Sequence, residues 1–224
     1  MLLIAGPVLF LASIVGLSVV LSISGLNAAQ VEERAINFMP YILLAVLSCL
    51  GVLVLLLLRG EKLWSLPTVK RSVADVIIGV LVGGILSGSY IVWISPALTV
   101  LQHEVGDYVA AGSVLPTISG NITIFFIANV VLAPWVEETL YRGYAIPVLT
   151  KYIGTGKAVA MSCILFGLLH WPGGIWYVLL TGILVGGALA GLFLWRKGLI
   201  APFAAHLALN VIEFIYAWRL QPVV

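Results

Sequence analysis

Long apolar runs recur along the whole chain, each about 20 residues and each ended by charges or by Gly and Pro; "LLIAGPVLFLASIVGLSVVLSISGL" opens the chain and "IAPFAAHLALNVIEFIYAW" lies near its end. That length crosses roughly 30 Å of hydrocarbon as a helix. The runs do not alternate polar and apolar residues, so helices rather than a barrel are expected. Hydrophobic residues make up 62% of the chain and charged ones 9%, against roughly 45–50% apolar usage in soluble domains. The expected fold is all-α: a polytopic integral membrane bundle of about seven transmembrane helices, forming a single membrane domain over residues 1–224.

The spans read as Leu2–Leu26, Phe38–Leu58, Val73–Ile94, Ile122–Ile146, Ala158–His170, Ile175–Trp195 and Leu199–Trp218. The first could be a secretory signal, since the small residues of "NAAQ" follow it. No Lys or Arg precedes it, however, and it exceeds the roughly 7–15 residues of a signal core, so a retained span is expected. Basic residues gather in alternate connections: Arg59, Lys62, Lys70 and Arg71 after the second span, Lys151 and Lys157 after the fourth with Arg142 near its end, Arg196 and Lys197 after the sixth. By the positive-inside rule these loops are cytoplasmic, which places the N-terminus inside and the C-terminus outside. Trp64, Trp93, Trp171, Trp195 and Trp218 fall near the expected membrane edges, as interfacial anchors do.

Several functions are excluded early. A net charge of +2 in short basic clusters gives nucleic acid no binding face. Cys49 and Cys163 lie within apolar runs and offer no metal-ligand spacing. Asn121-Ile122-Thr123 has the glycosylation pattern but stands where a helix enters the membrane.

Ionisable groups within spans are costly, so each one suggests a site. Away from loops and interfaces these are Glu137, Glu138, Arg142, His170, His206 and Glu213, with Asn210 as an uncharged companion. All lie in the C-terminal half. The interiors of the first three spans hold no charge on this reading, which divides the chain into motif-free helices at 1–120 and a chemistry-bearing core at 121–218.

Spacing sharpens the pattern. Residues four apart share a helix face, so Arg142 can pair with Glu138, leaving Glu137 pointing about 100° away toward a cavity. Phe166 and His170 share a face, as do His206 and Asn210, and Glu213 continues that stripe. Each feature has a plain structural explanation alone: an interfacial ion pair, a helix-end histidine bonding the last carbonyls, or interhelical hydrogen bonding. All three together, on three helices, point to one site.

"EETLYR" (Glu137–Arg142), "FGLLH" (Phe166–His170) and "HLALN" (His206–Asn210) resemble the ordered motifs EExxxR, FxxxH and HxxxN of the CPBP family of intramembrane proteases, also called the Abi or type II CAAX prenyl endopeptidase family. None of the three departs from the pattern, and the resemblance covers roughly Asn121 to Trp218. It implies a helical membrane bundle around a cavity in which the motif helices meet. It further implies an endopeptidase in which Glu137, with His170, activates water, His206 and Asn210 stabilise the oxyanion, and Glu138, Arg142 and Phe166 support the site. The cavity is expected to open toward the cytoplasm.

The implied substrate is a membrane-associated, possibly prenylated, peptide or protein within the lipid bilayer. A divalent metal such as zinc is an open possibility, held by Glu137, His170 and His206 as in a metalloprotease. The chain has no HExxH pair, and Asn210 beside His206 suits hydrogen-bond donors better than ligands, which favours a metal-free scheme. Two other classes remain. A non-catalytic scaffold, bacteriocin-immunity or regulatory protein could keep the fold and bind a partner. An ion or proton pathway would need polar groups strung through the first three spans as well.

Overall fold

The computed structural model describes residues 2–58, 69–106 and 121–220, and every element within them is helical. Seven helical runs follow one another: α1 (Leu2–Ile23), α2 (Ala28–Leu57), α3 (Arg71–Val105), α4 (Ile122–Ile153), α5 (Thr155–Leu169), α6 (Ile175–Arg196) and α7 (Ile200–Leu220). Four of them, α3, α4, α6 and α7, are long and apolar enough to cross a membrane, while α5 and the apolar parts of α1 and α2 are shorter. The chain is an integral membrane protein of the helical-bundle class.

All seven expected spans are helical, but three boundaries move. Helix α2 begins ten residues before the expected Phe38, because Asn27 caps it: Gln30 N–H donates to the Asn27 side chain at 3.0 Å and Asn27 N–H to the Gln30 side chain at 3.1 Å. Helix α3 continues beyond Ile94 to Val105, and α4 beyond Ile146 to Ile153. The basic segment at 59–68, with Arg59, Lys62 and Trp64, and most of the connection at 107–120 lie outside the described residues. Trp93, Trp195 and Trp218 are all exposed, as anchors at membrane edges should be. Asn121 caps α4, its side chain accepting from the N–H groups of Thr123 and Ile124.

Prolines account for much of the irregularity. A π-helical stretch ends two residues before each of three prolines: Tyr90–Ile94 before Pro96, Phe126–Leu132 before Pro134 and Glu138–Ala145 before Pro147. Proline lacks an N–H and its ring crowds the preceding turn. The wider turn lets the residue just before each proline bond five residues back: Ser95 to the Tyr90 carbonyl, Ala133 to Ala128 and Ile146 to Tyr141. The helix thus runs through the proline instead of ending there.

Helices α4 and α5 form a hairpin about Gly154, whose φ of 78° is one that glycine adopts without strain. Straight spans ending at Ile146 and starting at Ala158 would put Glu137 and His170 at different levels. With the turn at Gly154, Glu137 stands seventeen residues before it and His170 sixteen after, so the two helices bring them level. Side-chain packing agrees: Tyr141 and Phe166 meet edge to face at 5.6 Å between ring centroids. The Ser162 hydroxyl donates to the Tyr141 carbonyl at 2.9 Å. The hairpin tip projects past the α6–α7 turn, since Leu199 in that turn packs at Gly143 and residues 151–157 are all exposed.

Packing elsewhere depends on small residues. Helices α3 and α7 lie closest together, with Gly79 and Gly83 of α3 against Ala201, Ala204, Ala205 and Ala208 of α7. Between apolar helices in lipid such close approach maximises dispersion contact. On the other side, Val46, Leu47 and Leu50 of α2 pack on Ala128, Ala133 and Val136 of α4. At one end of the bundle Asp75 of α3, almost fully buried, accepts a hydrogen bond from Arg196 Nε at 2.5 Å, and the Arg71 guanidinium donates to the Arg196 carbonyl. Asp75 stands near the start of the third span, whose interior was expected to hold no charge, and is buried there.

The α3–α7 seam gives a direct test. A Cβ on Gly83 would run into the Ala205 backbone and come within 3.0 Å of Ala208 Cβ, whereas one on Gly84 would meet nothing within 4 Å. Gly83→Val should therefore cost about 1–3 kcal/mol of stability through overpacking, with Gly84→Val close to neutral. Thermal unfolding of the two detergent-solubilised variants checks this; equal melting temperatures would refute the seam.

Candidate functional site

The first motif stands at a junction in α4: Glu137 ends the α-helical turn Ala133–Glu137, and Glu138 to Arg142 lie in the π-helical stretch Glu138–Ala145. Glu138 and Arg142 are fully buried, and Arg142 Nη1 donates to Glu138 Oε1 at 2.8 Å. Arg142 is held from two further directions. Its Nη2 donates to the Gly186 carbonyl of α6 at 3.2 Å, and its guanidinium lies 4.3 Å above the centre of the Phe166 ring. A planar, always charged guanidinium suits this combination of fork and stack; a lysine ammonium does not. The expected pairing of Glu138 with Arg142 is present, and Phe166 is the surface on which it rests.

The same carboxylate oxygen has a second partner. His206 Nδ1 stands 2.9 Å from Glu138 Oε1. A carboxylate only accepts, so Nδ1 carries the proton and donates. The other ring nitrogen, Nε2, then faces Glu137, whose Oε2 is 3.8 Å away. The two adjacent glutamates thus differ in hydrogen bonding, as their helix positions suggest, yet converge on opposite nitrogens of one imidazole. Glu137 Oε2 is buried without a protein hydrogen-bond partner.

His170 ends α5. Its Nδ1 lies 2.9 Å from the Phe166 carbonyl. A carbonyl also only accepts, so this bond places the proton on Nδ1 and leaves the lone pair on Nε2. The expected face is present, with the Phe166 and His170 rings 4.9 Å apart, and Phe166 also meets the His206 ring at 5.8 Å. Gly174, with φ 91°, reverses the chain into α6 directly after the Trp171–Gly173 turn.

Asn210 has a partner that its motif did not announce. Its Nδ2 donates to the Asn129 carbonyl of α4 at 2.7 Å. Pro134 explains why that carbonyl is available. In the π-helical turn Ala133 gives its N–H to Ala128, and the next residue, Pro134, has none to give to Asn129. A carbonyl left open in a membrane interior is costly, and Asn210 closes it. One of the two Nδ2 hydrogens is used in this way and the other remains.

His170, His206, Asn210 and Glu213 line one cavity of about 270 Å³, walled also by Tyr90 of α3, Tyr177 of α6 and apolar residues including Leu184 and Leu209. The stripe expected on α7 therefore faces a single space. Glu137 is not on this wall and meets the site at His206 Nε2 instead, so the expected inward-facing carboxylate lies one side chain deeper. The lining runs from His206 toward Ile94, Tyr177 and Glu213, away from the basic α6–α7 turn.

The zinc set Glu137, His170 and His206 does not have the geometry of a ligand group: among the described residues no three His, Cys, Asp or Glu side chains are gathered as a metal site would need. His206 Nδ1 is already engaged by Glu138. Asn129, Tyr90 and Tyr177 were missed from sequence. Only the position of Pro134, five residues after Asn129, offered a signal for the first.

The buried brace makes a prediction. Arg142→Met leaves Glu138 charged and paired only with His206, which should destabilise the protein by about 3–5 kcal/mol. Glu138→Gln/Arg142→Met should recover part of that loss. Unfolding of the single and double variants measures it, and additive losses would show that the pair is not coupled.

Comparison with known families bears on the C-terminal part of the chain. A family model described as type II CAAX prenyl endopeptidase Rce1-like matches residues 119–212, somewhat less than half the chain. No curated protein and no solved structure matches. The matched segment contains α4 to most of α7, with the Glu138 brace, both cavity histidines and Asn210. Residues 119–212 are thus similar to the Rce1-like type II CAAX prenyl endopeptidases, the protease family that the three motifs resemble.

Proposed function

We propose that this protein is an intramembrane endopeptidase that hydrolyses a peptide bond of a membrane-associated substrate by a metal-free, glutamate-based mechanism. The observation that carries the reading is the buried Glu137 Oε2, free of protein hydrogen bonds and 3.8 Å from His206 Nε2. Glu138 Oε2, Tyr141 Oη and Arg142 Nε, on the same stretch of α4, are likewise buried and without protein partners. Such a group of polar atoms is a place for water.

In the proposed reaction a water beside Glu137 gives its proton to Oε2 as its oxygen attacks the scissile carbonyl carbon. His170 accepts the water's other hydrogen at Nε2 and so orients it. The carbonyl oxygen becomes an oxyanion, met by His206 Nε2–H and by the remaining Nδ2 hydrogen of Asn210. Protonated on both nitrogens, His206 is held by Glu138 at Nδ1. Glu137 then passes its proton to the leaving nitrogen and the C–N bond breaks to a carboxylic acid and an amine; the acid gives its proton to the amine, and a carboxylate and an ammonium depart. Glu138, Arg142 and Phe166 position His206. Asn210 is fixed by Asn129, so its role in catalysis comes with a role in joining α4 to α7.

The cavity's apolar walls fit a substrate that arrives from the lipid, and a prenylated peptide is the substrate class the family suggests. The basic turns Arg196–Lys197 and Lys151–Lys157 are proposed to face the cytoplasm, with the N-terminus inside and the C-terminus outside.

Cleavage of a panel of prenylated and unprenylated peptides by the purified protein tests the reading. Glu137→Ala and His170→Ala should each lower kcat/KM by about 10²–10⁴, while a metal chelator should leave the rate unchanged. Full cleavage by Glu137→Ala would remove the mechanism. Complementation of a deletion strain by the same variant would favour a scaffold, and loss of activity on chelation would restore the metal.

A further inference from the structure

One ionisable group on the cavity wall takes no part in the hydrolysis proposed above. Glu213 lies on α7 seven residues after His206 and three after Asn210, and faces the same space. None of the ion pairs among the described residues involves it. Tyr90 and Tyr177 line the cavity with it, and both phenols interact electrostatically with its carboxyl. Tyr90 is only 6% exposed, and its hydroxyl is buried with Ser95 alongside but no well-formed hydrogen bond to it. Tyr177 packs against the His170 ring at 5.9 Å, so this polar corner adjoins the catalytic one.

An uncompensated carboxyl in a membrane interior is costly and draws a partner of opposite charge. Glu138 has such partners in Arg142 and His206. Among the described residues Glu213 has none, although it is on the wall where a substrate would lie. We propose that Glu213, with Tyr90 and Tyr177, forms a recognition subsite for a basic side chain of the substrate. The carboxylate accepts hydrogen bonds from the ammonium or guanidinium, and the two phenols add aromatic faces and hydroxyls around the cation.

Helix geometry sets the distance. Seven residues of α7 separate His206 from Glu213, or about 10 Å along the axis at roughly 1.5 Å per residue. Extended peptide covers about 3.3 Å per residue, so the basic residue would stand about three positions from the cleaved bond. This inference rests on the proposed hydrolysis and adds a preference within it.

The test uses the full chain in lipid nanodiscs and a peptide series in which one Lys, or its neutral isostere norleucine, is placed at each of three positions on either side of the cleaved bond. The wild-type protein should favour Lys over norleucine by about tenfold in kcat/KM at a position near the third. Glu213→Gln should bring that ratio close to one, and Glu213→Lys should shift the preference to a Glu peptide. These are ratios within one preparation, so a smaller folded fraction does not move them. A ratio that is the same in wild type and Glu213→Gln, or no position that favours Lys, overturns the subsite while leaving the hydrolysis standing. Failure of the wild type to cleave any peptide overturns both.

Discussion

A single buried carboxylate oxygen, Glu138 Oε1, organises the chemistry-bearing half of this protein. It accepts from Arg142 on its own helix and from His206 on α7, and Arg142 in turn grips the Gly186 carbonyl of α6 and lies over Phe166 of α5. Four helices are therefore registered by one charge network. Buried ion pairs contribute little net stability, but removing one member is severe because the remaining charge has no water to turn to. The network is better understood as a device for geometry. It sets His206 Nδ1 on Glu138 as a donor and aims Nε2 at Glu137.

The second constraint comes from proline. Pro134 and Pro147 would break an ordinary α-helix; here each follows a widened turn, and α4 continues through both. Continuation to Ile153 lets the α4–α5 hairpin bring Glu137 and His170 level. The carbonyl that Pro134 leaves open at Asn129 becomes the anchor for Asn210. Irregular helix geometry, which in isolation is only a cost, thereby supplies a tie between α4 and α7 and carries Glu138 to Arg142 in its longest π-helical stretch.

Relations within one helix were legible from sequence, because helix geometry alone brings residues four apart together. Glu138 with Arg142, Phe166 with His170, and the His206, Asn210 and Glu213 stripe are all of this kind. Relations between helices were not. The Asp75–Arg196 pair joins residues 121 apart in sequence, and Asn210 meets a backbone carbonyl that carries no side-chain signature. Glu137 and His206 also meet across helices, and the depth of Glu137 depended on where α4 ends. Apolar runs mark where a span must exist, but a capping residue such as Asn27 or a projecting hairpin decides where it stops.

The central claim is that Glu137 acts on water and not on the substrate carbonyl itself. Single-turnover cleavage in ¹⁸O-labelled water, followed by mass spectrometry of both the product and the protein, tests it most directly. The account predicts one heavy oxygen in the new C-terminal carboxylate of the product and none in the Glu137 carboxyl. Label in Glu137 would mean that its carboxylate had attacked the substrate, and would contradict the account.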